Sequence, residues 1–260
     1  MKPFLFASIA LYSLSFLTVI AHHISGSRPL EKASRWLLVL GLVAHTGALA
    51  QRIWSTGHAP MAAMYETLVF FSWTAILVSA IVVFRYSERE TELVTVPVSV
   101  LAIVFALVNE KPGGPLTLIL RTRWFETHVT ASFAGYALFT LAFAGALVYL
   151  IKKWRGREDD ELRKFQEIAG KSILWGFFFF SASMFAGAVW AYLAWGAYWL
   201  WEPKVIWSFI VWFYFAGAMH AWYVKQWRGT GLAIATIIGF IIVLFTYLGV
   251  SLLMKSSHSF

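Results

Sequence analysis

Residues 232–254 read LAIATIIGFIIVLFTYLGVSLLM, 23 positions without a charge. About 20 such residues cross the hydrocarbon core of a bilayer as a helix, and a helix satisfies its own backbone polar groups where water is absent. Working outward, comparable stretches recur at 3–21, 36–54, 64–84, 93–108, 129–151, 172–194 and 204–223, with the one at 93–108 the shortest. The chain is 60% hydrophobic and 13% charged, where a soluble domain carries about 25% charged residues. The reading is an all-α polytopic transmembrane helical bundle of about eight spans, with residues 1–260 forming a single membrane domain. The first segment follows Lys2 and shows no small-x-small cleavage site after Ile20, so it is read as a retained helix.

The chain has no cysteine. Disulfides, thiolate nucleophiles and sulfur-thiolate metal ligands are therefore excluded, and metal ligands must come from its seven histidines. The formal charge of +8 does not point to nucleic acid, because the basic residues sit in short connections with no basic stripe among exposed aromatics. Membrane lipid is the surrounding partner.

Lys and Arg mark the cytoplasmic side of a membrane protein. The odd-numbered connections hold 14 of the 21 basic residues, among them Arg28, Arg89, Lys152, Arg163 and Lys225; the even ones and the termini hold the other 7. Odd loops inside puts both termini outside. The connection 152–171 either extends the fifth helix or forms a short surface helix. Lys111-Pro112-Gly113-Gly114-Pro115 marks a turn.

That orientation puts three distant features on the outer face: His128, His258 and the loop 195–204. The loop, Trp195-Gly196-Ala197-Tyr198-Trp199-Leu200-Trp201-Glu202-Pro203-Lys204, sets three tryptophans and a tyrosine in seven residues. Large ring faces give stacking area for a planar apolar ligand. A haem needs such a slot and one or two axial imidazoles when thiolate is absent. His128 and His258 suit the iron, and Trp195, Trp199 and Trp201 the porphyrin edge; Trp195 and Trp199, four apart, share a face if the loop turns helically. Each residue also has an ordinary reading, as a histidine hydrating a helix end or as part of an interfacial aromatic belt. Pro203 and Glu202 suit plain helix-entry chemistry as well.

The run WGAYWLWEPKVIW, residues 195–207, resembles the tryptophan-rich WWD signature of the haem-handling membrane proteins of cytochrome c biogenesis, closest to the CcsA/ResC subunit of the system II cytochrome c synthase. Gly57-His58-Ala59-Pro60-Met61-Ala62-Ala63-Met64-Tyr65-Glu66-Thr67-Leu68 resembles the segment leading into that family's early core helix. Trp124-Phe125-Glu126-Thr127-His128-Val129 resembles the motif with the first external ligand, and His258-Ser259-Phe260 the motif with the second. His220, in Ala218-Met219-His220-Ala221, falls where the family carries an intramembrane histidine. The resemblance covers roughly 57–260.

The resemblance implies an external haem ligated by His128 and His258 over the tryptophan loop, with His220 contributing one iron ligand to a second, intramembrane haem site. It implies haem b as cargo, brought from the cytoplasmic side, displayed outside and joined by thioether bonds to a CXXCH apocytochrome c, in a bacterial inner membrane or its organellar equivalent. Two departures stand out: Glu202 replaces the usual Asp and keeps the charge, while Val205 replaces a frequent Glu and loses one. An ionisable residue inside a span is itself a functional candidate. His45, the other intramembrane histidine, lies deeper than His220, so the second ligand is expected from a ResB/CcsB-like membrane subunit. Hydration accounts for His22 and His23 at the inner interface; His58 lies outside near the signature. Arg121, Arg123 and Lys204 are outer cations suited to propionates, and Glu66 is a motif residue to which the sequence assigns no role.

The leading reading is the haem-presenting and translocating subunit of a cytochrome c synthase. The alternatives are a HemX-like membrane regulator of haem synthesis and a haem exporter without ligation activity.

Overall fold

Helix continues wherever the apolar runs do, and further. The computed structural model describes residues 1–86, 88–110, 114 and 116–254, and no strand occurs among them. Among the described residues, seven helices are long and apolar enough to cross a membrane; a further apolar helix, Glu92–Val108, has 17 residues. The backbone falls into two compact units, Met1–Thr117 and Leu118–Phe260.

The first unit holds α1 (Lys2–Ser25), α2 (Arg28–Thr56), α3 (Met64–Tyr86) and α4 (Glu92–Val108). α1 and α2 pack antiparallel: Ser15 Oγ donates to Ser34 O at 2.9 Å, and the Tyr12 ring lies where a Cβ on Gly41 would be, 2.6 Å from that position. One turn beyond Gly41, the Tyr12 hydroxyl meets His45 Nδ1 at 3.3 Å. His45 is fully buried, and its Nε2 has no hydrogen-bond partner among the described residues.

Two buried ion pairs brace the ends of this unit. Arg52 Nε donates to Glu66 Oε1 at 2.7 Å, and Glu66 Oε2 accepts the amide of Ala62 at 2.8 Å. That carboxylate therefore holds the α2–α3 connection against the top of α3, which gives Glu66 a role. Arg89 donates to Glu92 Oε2 at 3.0 Å and to the carbonyl of Glu31 at 2.5 Å.

The second unit holds α5 (Arg123–Trp154), α6 (Asp159–Trp195), α7 (Pro203–Tyr223) and α8 (Thr230–Leu244). α8 runs on through a π-helical turn, Phe245–Gly249, into the short α9 (Val250–Leu253). The connection 152–171 follows the first alternative in part: α5 continues to Trp154, the helix breaks at 155–158, and from Asp159 onward the residues belong to α6 itself rather than to a short surface helix. The pairs Lys152–Glu161, Arg163–Glu167 and Lys171–Glu167 support helix outside the apolar window, the last two at the i, i+4 spacing that favours it.

α5 and α6 form an antiparallel hairpin whose register can be followed from end to end. Gly145 lies against Ala169, Phe139 against Gly176 and Ser132 against Ser183, with His128 against Gly187. The steps of six, seven and four along α5 are met by seven, seven and four along α6. Repeats near seven keep one helix face on its neighbour, and glycines in that face let membrane helices approach closely. A Cβ on Gly135 would stand 3.2 Å from Gly176 O. α7 and α8 pack beside this hairpin, with Phe139 stacked on Phe215 and Tyr214 Oη donating to Ala235 O at 2.8 Å.

Candidate functional site

α5 begins at Arg123, with the hydroxyl of its N-cap Thr122 accepting the amide of Phe125 at 3.1 Å. This cap fixes where the first turns start, and so where His128 faces. The imidazole points to α6. Its Nδ1 lies 2.8 Å from the carbonyl oxygen of Ser183 and 3.2 Å from the Ser183 hydroxyl. A carbonyl only accepts, so Nδ1 carries the proton and the lone pair resides on Nε2. Metal-ligating histidines are commonly oriented in this way, with the second ring nitrogen donating to a carbonyl.

Two more α6 residues complete the mount. A Cβ on Gly187 would stand 2.5 Å from His128 Nδ1, so only glycine leaves space for the ring. Trp190 stacks on His128 at a centroid distance of 6.2 Å and an interplanar angle of 17°. The indole is itself fixed, its Nε1 donating to Ile119 O at 2.7 Å and its ring meeting Phe125 at 5.1 Å. Sequence reading missed Ser183, Gly187 and Trp190. Their signal was present: steps of four and three put all three on one helical face, but inside a hydrophobic span such a face reads as ordinary packing.

The tryptophan loop starts where Gly196 ends α6 in a left-handed conformation, φ 74°. That conformation favours glycine, and helix does not resume until Pro203. The loop does not turn helically, so the condition for Trp195 and Trp199 to share a face is not met: Trp195 is the last residue of α6, and Trp199 lies beyond the break. The rings form two groups. Trp195 packs edge-on against Trp190, at 4.8 Å and 66°, and so joins the His128 group. Trp199 and Trp201 meet over Phe209 of α7, at 4.9 Å and 5.8 Å. Trp201 remains 72% exposed, leaving ring area for a ligand.

His220 stands apart. It lies 17 residues along α7 from Pro203, about 25 Å at 1.5 Å per residue. Its Nδ1 donates to Ala216 O of the preceding turn at 2.7 Å, so its lone pair too is on Nε2. The side chain is exposed on the surface of α7, beside Gly217, where an added Cβ would meet nothing. His258 lies outside the described residues. The Lys204 ammonium is engaged within the protein, bonding Ser251 Oγ at 2.8 Å and Tyr247 O at 3.2 Å.

The arrangement defines a class: an integral membrane helical protein with an oriented imidazole packed on a fixed indole and, on the loop that follows α6, exposed tryptophan rings. The family model for the cytochrome c assembly protein matches residues 61–258. The chain is 30% identical, over 96% of its length and 91% of the other, to the cytochrome c biogenesis protein CcsA of Prochlorococcus marinus (strain NATL2A). It is likewise 30% identical to CcsA of Chlamydomonas reinhardtii, over 96% of this chain and 72% of that one. In fold it is similar to the solved structure of the cytochrome c haem lyase CcmF, with a TM-score of 0.72 at 17% identity; the match takes in 98% of this chain and 46% of that one, so the chain spans about half that lyase. This chain belongs to the cytochrome c assembly protein family, and its role lies in cytochrome c biogenesis.

Proposed function

We propose that the chain is the haem-presenting subunit of a membrane cytochrome c synthase. Haem b is its cargo, held at the outer face of a bacterial inner membrane or the organellar equivalent. His128 and His258 ligate the iron axially, and Trp195, Trp199 and Trp201 flank the macrocycle. The observation that carries this reading is the mount of His128, with proton placement set by the Ser183 carbonyl, space supplied by Gly187 and a parallel face supplied by Trp190. Packing alone does not call for a glycine notch under a polar ring.

The chemistry asks little of the side chains. Each thiol of a CXXCH apocytochrome adds across one haem vinyl group: a C–S bond forms, the thiol proton ends on the neighbouring vinyl carbon, and no electrons leave the pair of reactants. The chain contributes position, orientation and exclusion of competing groups. The absence of cysteine suits this task, since a local thiol beside the vinyls would compete with the substrate.

His220 supplies one ligand to a second haem within the membrane, and a ResB/CcsB-like subunit supplies the other. The exposed ring on α7 supports this part, because a polar side chain on a lipid-facing surface is unfavourable unless a partner covers it. The test is maturation of a CXXCH reporter in a host without its own system, with this chain and its membrane partner coexpressed. Covalent holocytochrome is the expected product. Haem-loaded complex that never forms thioether bonds would overturn the synthase assignment and favour haem export.

A further inference from the structure

At the end of the second unit opposite the tryptophan loop, α5, α6, α7 and α8 leave a partly open cavity of about 250 Å³. Its walls are mostly apolar, Phe165 and Leu232 among them, but Tyr149 and Gln166 bring hydrogen-bonding groups into it. Tyr149 is only 3% exposed. Neither its hydroxyl nor the Gln166 carboxamide has a hydrogen-bond partner among the described residues. A buried hydroxyl left unpaired is costly, so the two groups together point to an occupant. Gly229 closes the cavity from the α7–α8 connection. Its φ of 101° is one that side chains rarely adopt, and a Cβ there would stand 3.5 Å from Tyr149 Oη and 3.8 Å from Gln166 Nε2. The two donors thus face one space, which glycine leaves clear. Trp222 forms another wall and is seated on Gly170 of α6, where a Cβ would stand 2.4 Å from the indole.

The surroundings are cationic. Lys153 Nζ lies 5.9 Å from the centroid of the Tyr149 ring and donates to Thr230 Oγ1 at 2.6 Å. Arg228 lies over the Trp222 ring at 4.0 Å and donates to the Trp222 carbonyl at 2.7 Å. Among the described residues no carboxylate lines the cavity. Trp154, Tyr223 and Trp227 are exposed at this end, as rings at the headgroup level of a bilayer are. Tyr149 stands five residues before Trp154, about 7.5 Å further along α5 into its apolar part. The cavity is separate from both haem positions. It lies about 30 Å along α5 from His128. On α7 it is reached by the buried Trp222, which is turned by about 200° from the exposed His220 two residues before it.

We propose that this cavity binds the phosphate of an acidic phospholipid. The Tyr149 hydroxyl and the Gln166 N–H donate to phosphate oxygens, and Lys153 and Arg228 balance the charge at the mouth. The acyl chains lie along α8, where Ile234 and Ile238 are exposed. Basic pockets between membrane helices are suited to anionic headgroups. A zwitterionic lipid would set its own cation against Lys153 and Arg228, so the site favours a lipid with net negative charge. Once bound, the phosphate ties α5 to α6 beside the α7–α8 connection and satisfies both orphaned donors.

The experiment takes the full chain in detergent, washed free of lipid, and adds phosphatidylglycerol, phosphatidylcholine or inorganic phosphate. Retained lipid is counted by mass spectrometry, and thermal unfolding is followed alongside. The wild type should retain phosphatidylglycerol and unfold at a higher temperature with it, while phosphatidylcholine and inorganic phosphate at the same concentration should do neither. Tyr149→Phe and Gln166→Leu should each bind phosphatidylglycerol about tenfold more weakly, the size expected for one hydrogen bond to a charged group. Lys153→Gln should erode the preference for phosphatidylglycerol over phosphatidylcholine. If Tyr149→Phe does not accumulate, Gln166→Leu decides by the same titration. Unchanged retention of phosphatidylglycerol in the single variants overturns the proposal, as does equal retention of phosphatidylcholine by the wild type. Stabilisation by inorganic phosphate equal to that by phosphatidylglycerol would make a free anion the ligand and overturn the lipid assignment. No effect of any of the three on the wild type would leave water as the occupant and overturn it too.

Discussion

The imidazole of His128 occupies the space a side chain on Gly187 would fill: a Cβ there would stand 2.5 Å from Nδ1 and 2.8 Å from Cε1. The notch and the Ser183 carbonyl together fix both the place and the tautomer of the ring. A ligand held by packing and a hydrogen bond needs little reorganisation when iron arrives.

Gly187→Ala should therefore displace the ring while the hairpin stays folded, at an overpacking cost of about 1–3 kcal/mol. The external haem should become partly high-spin, and the holocytochrome yield should drop and then recover with imidazole. Absorption spectra of the purified complex, with and without imidazole, make the comparison. An unchanged low-spin spectrum would mean that the notch is incidental packing.

Arg52 and Glu66 should act as one unit. Their side chains are 11% and 2% exposed, so removing either takes the nearest counter-charge from the buried group that remains, and Arg52→Ala or Glu66→Ala should each lower stability by about 3–5 kcal/mol. Replacing both, with Met and Leu, should recover much of the loss. Unfolding of the four species in detergent, read as a double-mutant cycle, measures the coupling; purely additive losses would show that no such unit exists.

The two intramembrane histidines should part company. His45 is fully buried and touches the Tyr12 hydroxyl, which leaves no ring edge for a porphyrin. His45→Leu should keep its haem content and spectrum. His220→Ala should lower intramembrane haem occupancy while the external haem and the tryptophan loop persist. Quantified haem per complex distinguishes them, and a folded His45→Leu protein lacking that haem would make His45 the ligand.

The fold was legible because hydrophobic runs of span length admit few alternatives in a bilayer. The helix ends were less so: α6 begins at Asp159, ahead of its apolar run, since charged i, i+4 neighbours such as Glu167 and Lys171 extend helix that hydrophobicity does not mark. His128 and the tryptophan loop stood out by chemistry. What holds them did not, because Ser183, Gly187 and Trp190 acquire meaning only once α6 lies in register against α5. Arg52 and Lys204, counted from sequence among the outer charges, have side chains that bond within the protein. A charge tally weighs side chains without seeing where their ends point.

The most direct test of external bis-histidine display is the spin state of haem in the purified complex, wild type against His128→Ala and His258→Ala. The wild type is expected to carry six-coordinate low-spin external haem. Each variant is expected to lose it or turn high-spin, and to regain the low-spin spectrum and part of its cytochrome maturation when imidazole is added. Low-spin external haem and normal maturation in both variants would contradict the assignment of these two histidines.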